Sequence, residues 1–541
     1  MSHTPPSHDA MPAPAPPSPG LPSAEPPSDG PSSAEPPTAE PSPAVPSPAV
    51  PPSSGSPGSA GDGAAPEVRK PRKNELLDLT IERIDDRGRG VGPVPLTELT
   101  VRFANPGATI HARVLGRSKK RLDGRIESIL DPGPHATAAR CPHAGVCGGC
   151  AMPTLAYDEQ LRQKHLLVEA AVARAFEARE LSLNVEVQDV VPAPRLEGYR
   201  NKMDFTFGSR RYILADEPQG VDASFGLGLH APGLYQKVLD VDHCAIAFEG
   251  ASEIVRSARE LAVERGLTPW DLKLHTGLLR HLVLRQGERT GETMINLVTS
   301  ERAADLVDPY VQTLRERFPS VTTIVQNITT REASVAYGEE EHVLFGSGTI
   351  SDVISGKRFL ISADSFFQTN TGQAERLFEI VRERAALEAK DTLFDVYCGA
   401  GTIGLVIGDD AGSIVGFESA PTAVRDARAN AERNGVTSAT YHEGDVLSTM
   451  RSALDEQSIR PDVLVIDPPR AGLHPKVPAQ LIDLGSPRVV YVSCNPKTGA
   501  NDVAAFVEAG YELVSIEPVD MFPHTPHVEA VFSLVRKRCR P

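Results

Sequence analysis

The chain has no apolar run approaching the roughly eighteen residues that a membrane span requires, so neither a spanning helix nor a membrane partner is expected. Its first residues, MSHTPPSHDA, lack the apolar stretch of a secretory signal, so the cytoplasm is the expected compartment. Basic residues are outnumbered: 55 Lys and Arg face 71 Asp and Glu, for a formal net charge of −16. That excludes a uniformly basic, histone-like binder. Residues 1–73 contain no Phe, Tyr or Trp but hold 22 of the 48 prolines. Such a segment cannot bury enough apolar surface to offset its chain entropy, so it is expected to be a disordered arm biased towards polyproline II. It ends in the basic cluster Arg69-Lys70-Pro71-Arg72-Lys73. Cysteine is scarce and odd in number, at seven, and Cys141, Cys147 and Cys150 crowd together. This excludes a disulfide-held mini-protein and points to metal ligation or catalysis.

What remains is long enough for three folded parts, at about 100–200 residues per domain. Residues 74–132 run in short alternating segments, LDLTIERI, LTVRFA, TIHARVLGR and GRIESIL, broken by Gly and Pro. This pattern predicts a small antiparallel β-barrel. Its loops hold Arg87, Arg89, Arg117, Lys119, Lys120 and Arg121, and Arg117, Lys119 and Lys120 are candidate RNA contacts. Residues 133–360 carry the cysteines, a helical stretch YDEQLRQKHLLVEAAVARAFEA, and a strand-rich α/β region whose topology the pattern does not fix. Part of 151–185 is expected to pack on the domain that follows. From 361 to 541, helices alternate with short continuous apolar strands, as expected of a parallel sheet covered on both faces. The fold class is therefore α/β, with a doubly wound, Rossmann-like C-terminal domain.

Phe394-Asp395-Val396-Tyr397-Cys398-Gly399-Ala400-Gly401-Thr402-Ile403-Gly404 places G-x-G-x-x-G between a predicted strand and a helix. Gly399 and Gly401 let the backbone turn sharply and approach a nucleoside. Glu418, ending the next strand, is positioned to accept both hydroxyls of an adenosine ribose, and Asp445 to meet the adenine amine. The acidic Asp395 before the loop, with no second mononucleotide half after it, favours S-adenosylmethionine over a dinucleotide. Cys398 reads as a packing residue, and Cys539 has no assigned role.

Two further strand ends carry chemistry: Asp467-Pro468-Pro469-Arg470 and Ser493-Cys494-Asn495-Pro496-Lys497. A thiolate is a strong nucleophile, and Arg470 or Lys497 beside Cys494 is expected to favour it. A methyltransferase needs a thiol when the acceptor is a poor nucleophile such as C5 of uracil: addition at C6 makes C5 an enolate carbon. A base must then remove the C5 proton. Glu529, in Pro526-His527-Val528-Glu529, fits that role, and Asp467 is placed to orient the pyrimidine edge. The target base must be drawn out of its stack.

FQTN, DVYCGAGTIGL, DPPRAGL, SCNP and HVEAV occur in that order over about residues 360–535. Together they resemble the RNA uracil-C5 methyltransferase family, which makes 5-methyluridine in tRNA or in large ribosomal RNA. The resemblance implies that Cys494 is the nucleophile, that Glu529 is the base, and that Gln368, Tyr397, Glu418 and Asp467 contact S-adenosylmethionine. Cys141, Cys147, Cys150 and the more distant Cys244 suit either tetrahedral zinc or a 4Fe-4S cluster, and a three-cysteine zinc site with His143 or His243 is also open. The rRNA branch of the family carries a 4Fe-4S cluster on this spacing behind a TRAM barrel, so the resemblance implies an iron–sulfur centre and structured RNA, rRNA rather than tRNA, as substrate. Arg200 and Lys202, in Tyr199-Arg200-Asn201-Lys202-Met203, resemble the family's basic motif near the RNA strand. No obligate protein partner is evident.

Overall fold

The computed structural model describes residues 68–118, 121–446, 448–450 and 459–537. The proline-rich arm up to residue 67, Lys119, Lys120 and Cys539 lie outside the described residues. Among the described residues no helix is long and apolar enough to cross a membrane.

Short strands broken by turns build the first sheet: β1 (Leu76–Thr80), β2 (Arg83–Ile84), β3 (Gly90–Val94), β4 (Thr97–Val101), β5 (Thr109–Ser118) and β6 (Arg121–Asp131), in the order β1-β5-β6-β4-β3-β2. Alternation along these strands turns Leu79, Leu99, Val101, Ile110, Ala112 and Val114 into a core of their own. Helix α1 (Tyr157–Glu177) follows the cysteine-bearing loop. Its buried Val168, Val172, Ala175 and Phe176 belong to the core of the C-terminal sheet, so this helix packs there.

The region left open by pattern alone is a seven-stranded sheet. Its strands are β7 (Lys202–Gly208), β8 (Gly226–Ala231), β9 (Leu234–Asp240), β10 (Leu279–Gln286), β11 (Thr293–Thr299), β12 (Val321–Ile328) and β13 (Glu340–Phe345), in the order β13-β12-β11-β10-β7-β8-β9. Only β11 and β12 pair in parallel, because helix α3 (Ala304–Arg317) carries the chain back between them. This helix and α2 (Ala251–Glu264) cover the apolar face. The hairpin β14 (Thr349–Ile354) and β15 (Lys357–Ser362) leads into α4 (Thr371–Ala385).

The C-terminal sheet contains β16 (Thr392–Val396), β17 (Ser413–Glu418), β18 (Ala439–Glu443), β19 (Val463–Ile466), β20 (Arg488–Ser493), β21 (Tyr511–Val519) and β22 (Glu529–Arg536), in the order β18-β17-β16-β19-β20-β22-β21. The five strands from β18 to β20 run parallel, while β22 is antiparallel to both its neighbours. Helices α4, α5 (Thr402–Ile407) and α6 (Pro421–Arg433) cover one face. Helix α1, with α7 (Val477–Asp483) and α8 (Pro496–Glu508), covers the other. Burial on both faces explains why these strands read as unbroken apolar runs. The order reverses between β16 and β19, which opens a crevice at the carboxyl ends of the central strands.

Candidate active site

The glycine loop leaves β16 through Tyr397, a non-glycine residue held at φ 66°. This strained backbone is fixed by Tyr397 N–H and Cys398 N–H, both donating to Phe417 O, at 2.9 and 3.1 Å. Gly401 has φ 77°, and a Cβ there would stand 2.7 Å from Tyr441 Oη, so only glycine fits. Gly399 N–H donates to Glu418 Oε2 at 3.2 Å, and Ala420 N–H to Oε1 at 2.8 Å, which fixes this carboxylate at the end of β17 beside the loop. Asp445 accepts from Ser448 N–H at 3.3 Å, and its charge reaches Tyr397. Burial, with the charges of Asp445, Asp502 and Glu418, pushes the Tyr397 phenol up to about 12. Gln368 lies in the loop before α4, and its backbone carbonyl accepts from Asn201 Nδ2 at 3.0 Å. Cys398 is buried in the core beneath the loop.

The second half of the site sits where β20 meets β22. The ladder ends on the pair Ser493↔Ala530, and its register, continued one step, brings Cys494 and Glu529 together, near enough for the Glu529 charge to act on the thiol. Directly opposed antiparallel residues have Cβ atoms about 4.5–5.5 Å apart. The surroundings correct one expectation: Lys497 does not activate the thiol. Lys497 Nζ lies 2.6 Å from Asp86 Oδ2 in the first sheet's β2–β3 loop. Burial, then the charges of Glu529 and Asp467, push the Cys494 thiol up to about 12, and Arg470 only partly opposes them. Burial and Asp467 push Glu529 up to about 8, and no hydrogen bond is among the causes acting on its carboxyl. Asp467 is itself raised to about 7 by burial and by Asp395.

Asp395 is a member of this set whose burial no sequence pattern announces. It is fully buried, accepts from Gly404 N–H at 2.9 Å through Oδ2, and has no partner on Oδ1. Burial, with the charge of Glu418, lifts it to about 7. Arg470 Nη2 donates to His527 Nδ1 at 2.8 Å. Burial and then Arg470 lower His527 to about 4, so its ring is a neutral acceptor at pH 7.

The tRNA (Uracil-5-)-methyltransferase family profile matches residues 335–537, which contain all of these groups. An uncharacterized RNA methyltransferase of Chlorobaculum tepidum is 36% identical over 471 residues, covering 85% of this chain and 96% of its own. One from Caldanaerobacter subterraneus is 35% identical, covering 85% and 98%. The chain belongs to the RNA uracil-C5 methyltransferase family. It is an S-adenosylmethionine-dependent enzyme. The crystal structure of Pyrococcus abyssi tRNA (uracil-54, C5)-methyltransferase with S-adenosyl-L-homocysteine matches this methyltransferase with a TM-score of 0.66 and 30% identity, over 85% of this chain and all of that one.

The remaining residues singled out in this methyltransferase fall in three places. Cys141, Cys147, Cys150 and Cys244 line one cavity of about 370 Å³ together with His143 and His243. His143 Nε2 is already engaged by Asp242 N–H at 3.2 Å. Among the described residues no three His, Cys, Asp or Glu side chains converge as a site for a single ion. Arg200 and Lys202 stand where β7 begins: Arg200 lies 5.8 Å over the Phe522 ring, and Lys202 Nζ is 3.4 Å from Asp204. Arg117 is exposed near the end of β5. Arg89 is not available to a ligand, since Asp85 and Asp123 hold its guanidinium.

Proposed function

We propose that the enzyme methylates C5 of a uridine through a covalent bond between Cys494 Sγ and C6 of the uracil, with Glu529 as the base. The observation that carries this reading is the opposition of a thiol and a buried carboxyl just past Ser493↔Ala530, at the crevice end of the sheet. S-adenosylmethionine supplies an electrophilic methyl, and Glu418, Tyr397, Gln368, Asp445, Asp467 and the Gly399–Gly401 backbone are the groups to hold it. After losing its proton, Cys494 adds to C6 and leaves the ring an enolate nucleophilic at C5. C5 then takes the methyl group as the bond from that methyl to the sulfonium sulfur breaks, which leaves S-adenosyl-L-homocysteine. Glu529 removes the C5 proton, and the re-formed enolate expels the thiolate from C6 as the C5–C6 double bond returns.

In this reading residues 74–132 are a TRAM-like barrel, 133–360 a central iron–sulfur and RNA-contacting domain, and 361–541 the catalytic domain. Arg200, Lys202 and Arg117 are RNA contacts. The four cysteines, which line one cavity, hold a 4Fe-4S cluster, as the resemblance to the rRNA branch implies. The cluster is structural or positions the RNA, since methyl transfer needs no electron. Anaerobically purified protein should be brown and contain iron; a colourless preparation with stoichiometric zinc overturns this assignment.

The substrate implied by the resemblance of the front parts to the family's rRNA branch is a large ribosomal RNA. A transfer RNA is the second reading, favoured by the tRNA enzyme from P. abyssi whose whole length this chain covers. Incubation with 5-fluorouridine-substituted ribosomal and transfer RNA decides both points. Fluorine cannot leave C5 as a proton does, so the true substrate should yield a protein–RNA adduct stable in denaturing gels. No adduct with either RNA, or methylation by Cys494→Ala, overturns the mechanism.

A further inference from the structure

Glu529 opens β22, where it pairs with Val519 of β21, and the connection from residue 520 to 528 that leads into it is tied to α1, to the cysteine loop and to the first sheet's β2–β3 loop. At its start the carboxylate of Asp520 pairs with the ammonium of Lys164 on α1, and neither side chain has exposed surface. Lys164 Nζ also donates to Phe522 O at 3.0 Å, and Tyr157 Oη to Asp520 Oδ2 at 2.9 Å. In the middle Tyr199 Oη donates to Pro523 O at 3.1 Å.

His524 is the tightest point. Its φ of 66° is left-handed, a conformation that a side-chain-bearing residue keeps only when its surroundings enforce it. The enforcement is visible on both sides of the residue. Gln160 Oε1 on α1 accepts from His524 N–H at 2.8 Å, while Ala151 and Met152 N–H both donate to His524 O at 3.0 Å. Ala151 follows Cys150 directly, and the His524 side chain lines the four-cysteine cavity. Gly88 in the first sheet closes over the same point: a Cβ there would lie 2.5 Å from Ala151 Cβ and 3.2 Å from Pro526 Cδ.

We infer that Gln160 and the backbone of His524 are positioning elements for Glu529, so that the cysteine loop and α1 control proton removal from C5 rather than thiolate addition at C6. The inference rests on the covalent reading above. Cys494 lies apart from the clamp: it follows Ser493, the last residue of β20, and precedes the Asn495 cap of α8, whose side chain accepts from Lys497 N–H. Loosening His524 therefore leaves the nucleophile in place and moves the base. Misplacing a reacting group by about 1 Å costs on the order of a hundredfold.

The test separates the two steps. Gln160→Met removes the acceptor at nearly constant volume, and His524→Pro removes the N–H and forbids the positive φ. Both should lower turnover on ordinary RNA by about ten- to a hundredfold. Both should accumulate a covalent adduct with ordinary uridine and form the 5-fluorouridine adduct within about twofold of the native rate. His524→Asn, which tolerates a left-handed backbone, should recover most of the turnover that His524→Pro loses. Tyr199→Phe deletes only one hydrogen bond and should shift the same ratio less, giving a reading if the stronger variants do not fold. Equal losses in adduct formation and turnover, or no change in either, overturn the inference. Absence of any adduct in the native protein overturns the covalent reading itself, and this inference with it.

Discussion

Cys494→Ala should abolish methyl transfer, lowering turnover by more than about 10⁴-fold, and should leave no covalent adduct with 5-fluorouridine RNA. S-adenosylhomocysteine binding should be retained, because Glu418 is held by Gly399 and Ala420 and not by the thiol. Cys494→Ser should fail as completely, since a hydroxyl ionises less readily than even this thiol. The native thiol is an unusual nucleophile, held protonated at rest by burial and two nearby carboxyls. It is thus protected from casual alkylation, and iodoacetamide should label it slowly at pH 7 and faster as pH rises. Calorimetry of S-adenosylhomocysteine binding and denaturing gels of the adduct check the two halves of this expectation.

Glu529→Gln should stop the reaction one step later. The amide cannot take the C5 proton, so turnover falls by about 10²–10⁴-fold while ordinary, methylated RNA stays attached to Cys494. In native protein turnover should climb between pH 6 and 9, because Glu529 sits near 8 and is a base only after losing its proton. Stability runs the other way. The folded value lies above the ordinary 4.5, so the stabilising contribution of the carboxyl is complete below that pH and is lost as pH rises through about 8. The glutamine variant carries no such titration, and its Tm advantage over native protein should widen from pH 5 to pH 9. A constant difference in Tm would mean that the carboxyl is not perturbed.

The features legible in the sequence are those in which chemistry demands particular neighbours along the chain. The glycines at 399 and 401, the acid at 418 and the thiol at 494 each stand at a strand end that apolar runs announce. The features that escape it come from contacts across long stretches of chain. Lys497 looks like a cation for the thiol until folding brings Asp86, 411 positions away, to its side. Asp395 reads as the acid that precedes the glycine loop, but not as a carboxyl that burial leaves with a single hydrogen bond. The topology of the central sheet is hidden because one parallel pair sits among antiparallel ones without a change in composition. The clamp on His524 has no local signature, since its partners come from α1 and the cysteine loop.

The insertion of β22 between β20 and β21 has a consequence for how the molecule fails. Until that strand docks, β20 and β21 each present an open edge of unpaired amides, and these flank an apolar core. Open edges of this kind recruit strands from other molecules. Substitutions that weaken the docking of β22, such as a polar residue at Val531 or Phe532, should therefore be seen first as insoluble protein in the expressing cell rather than as a soluble enzyme of low activity.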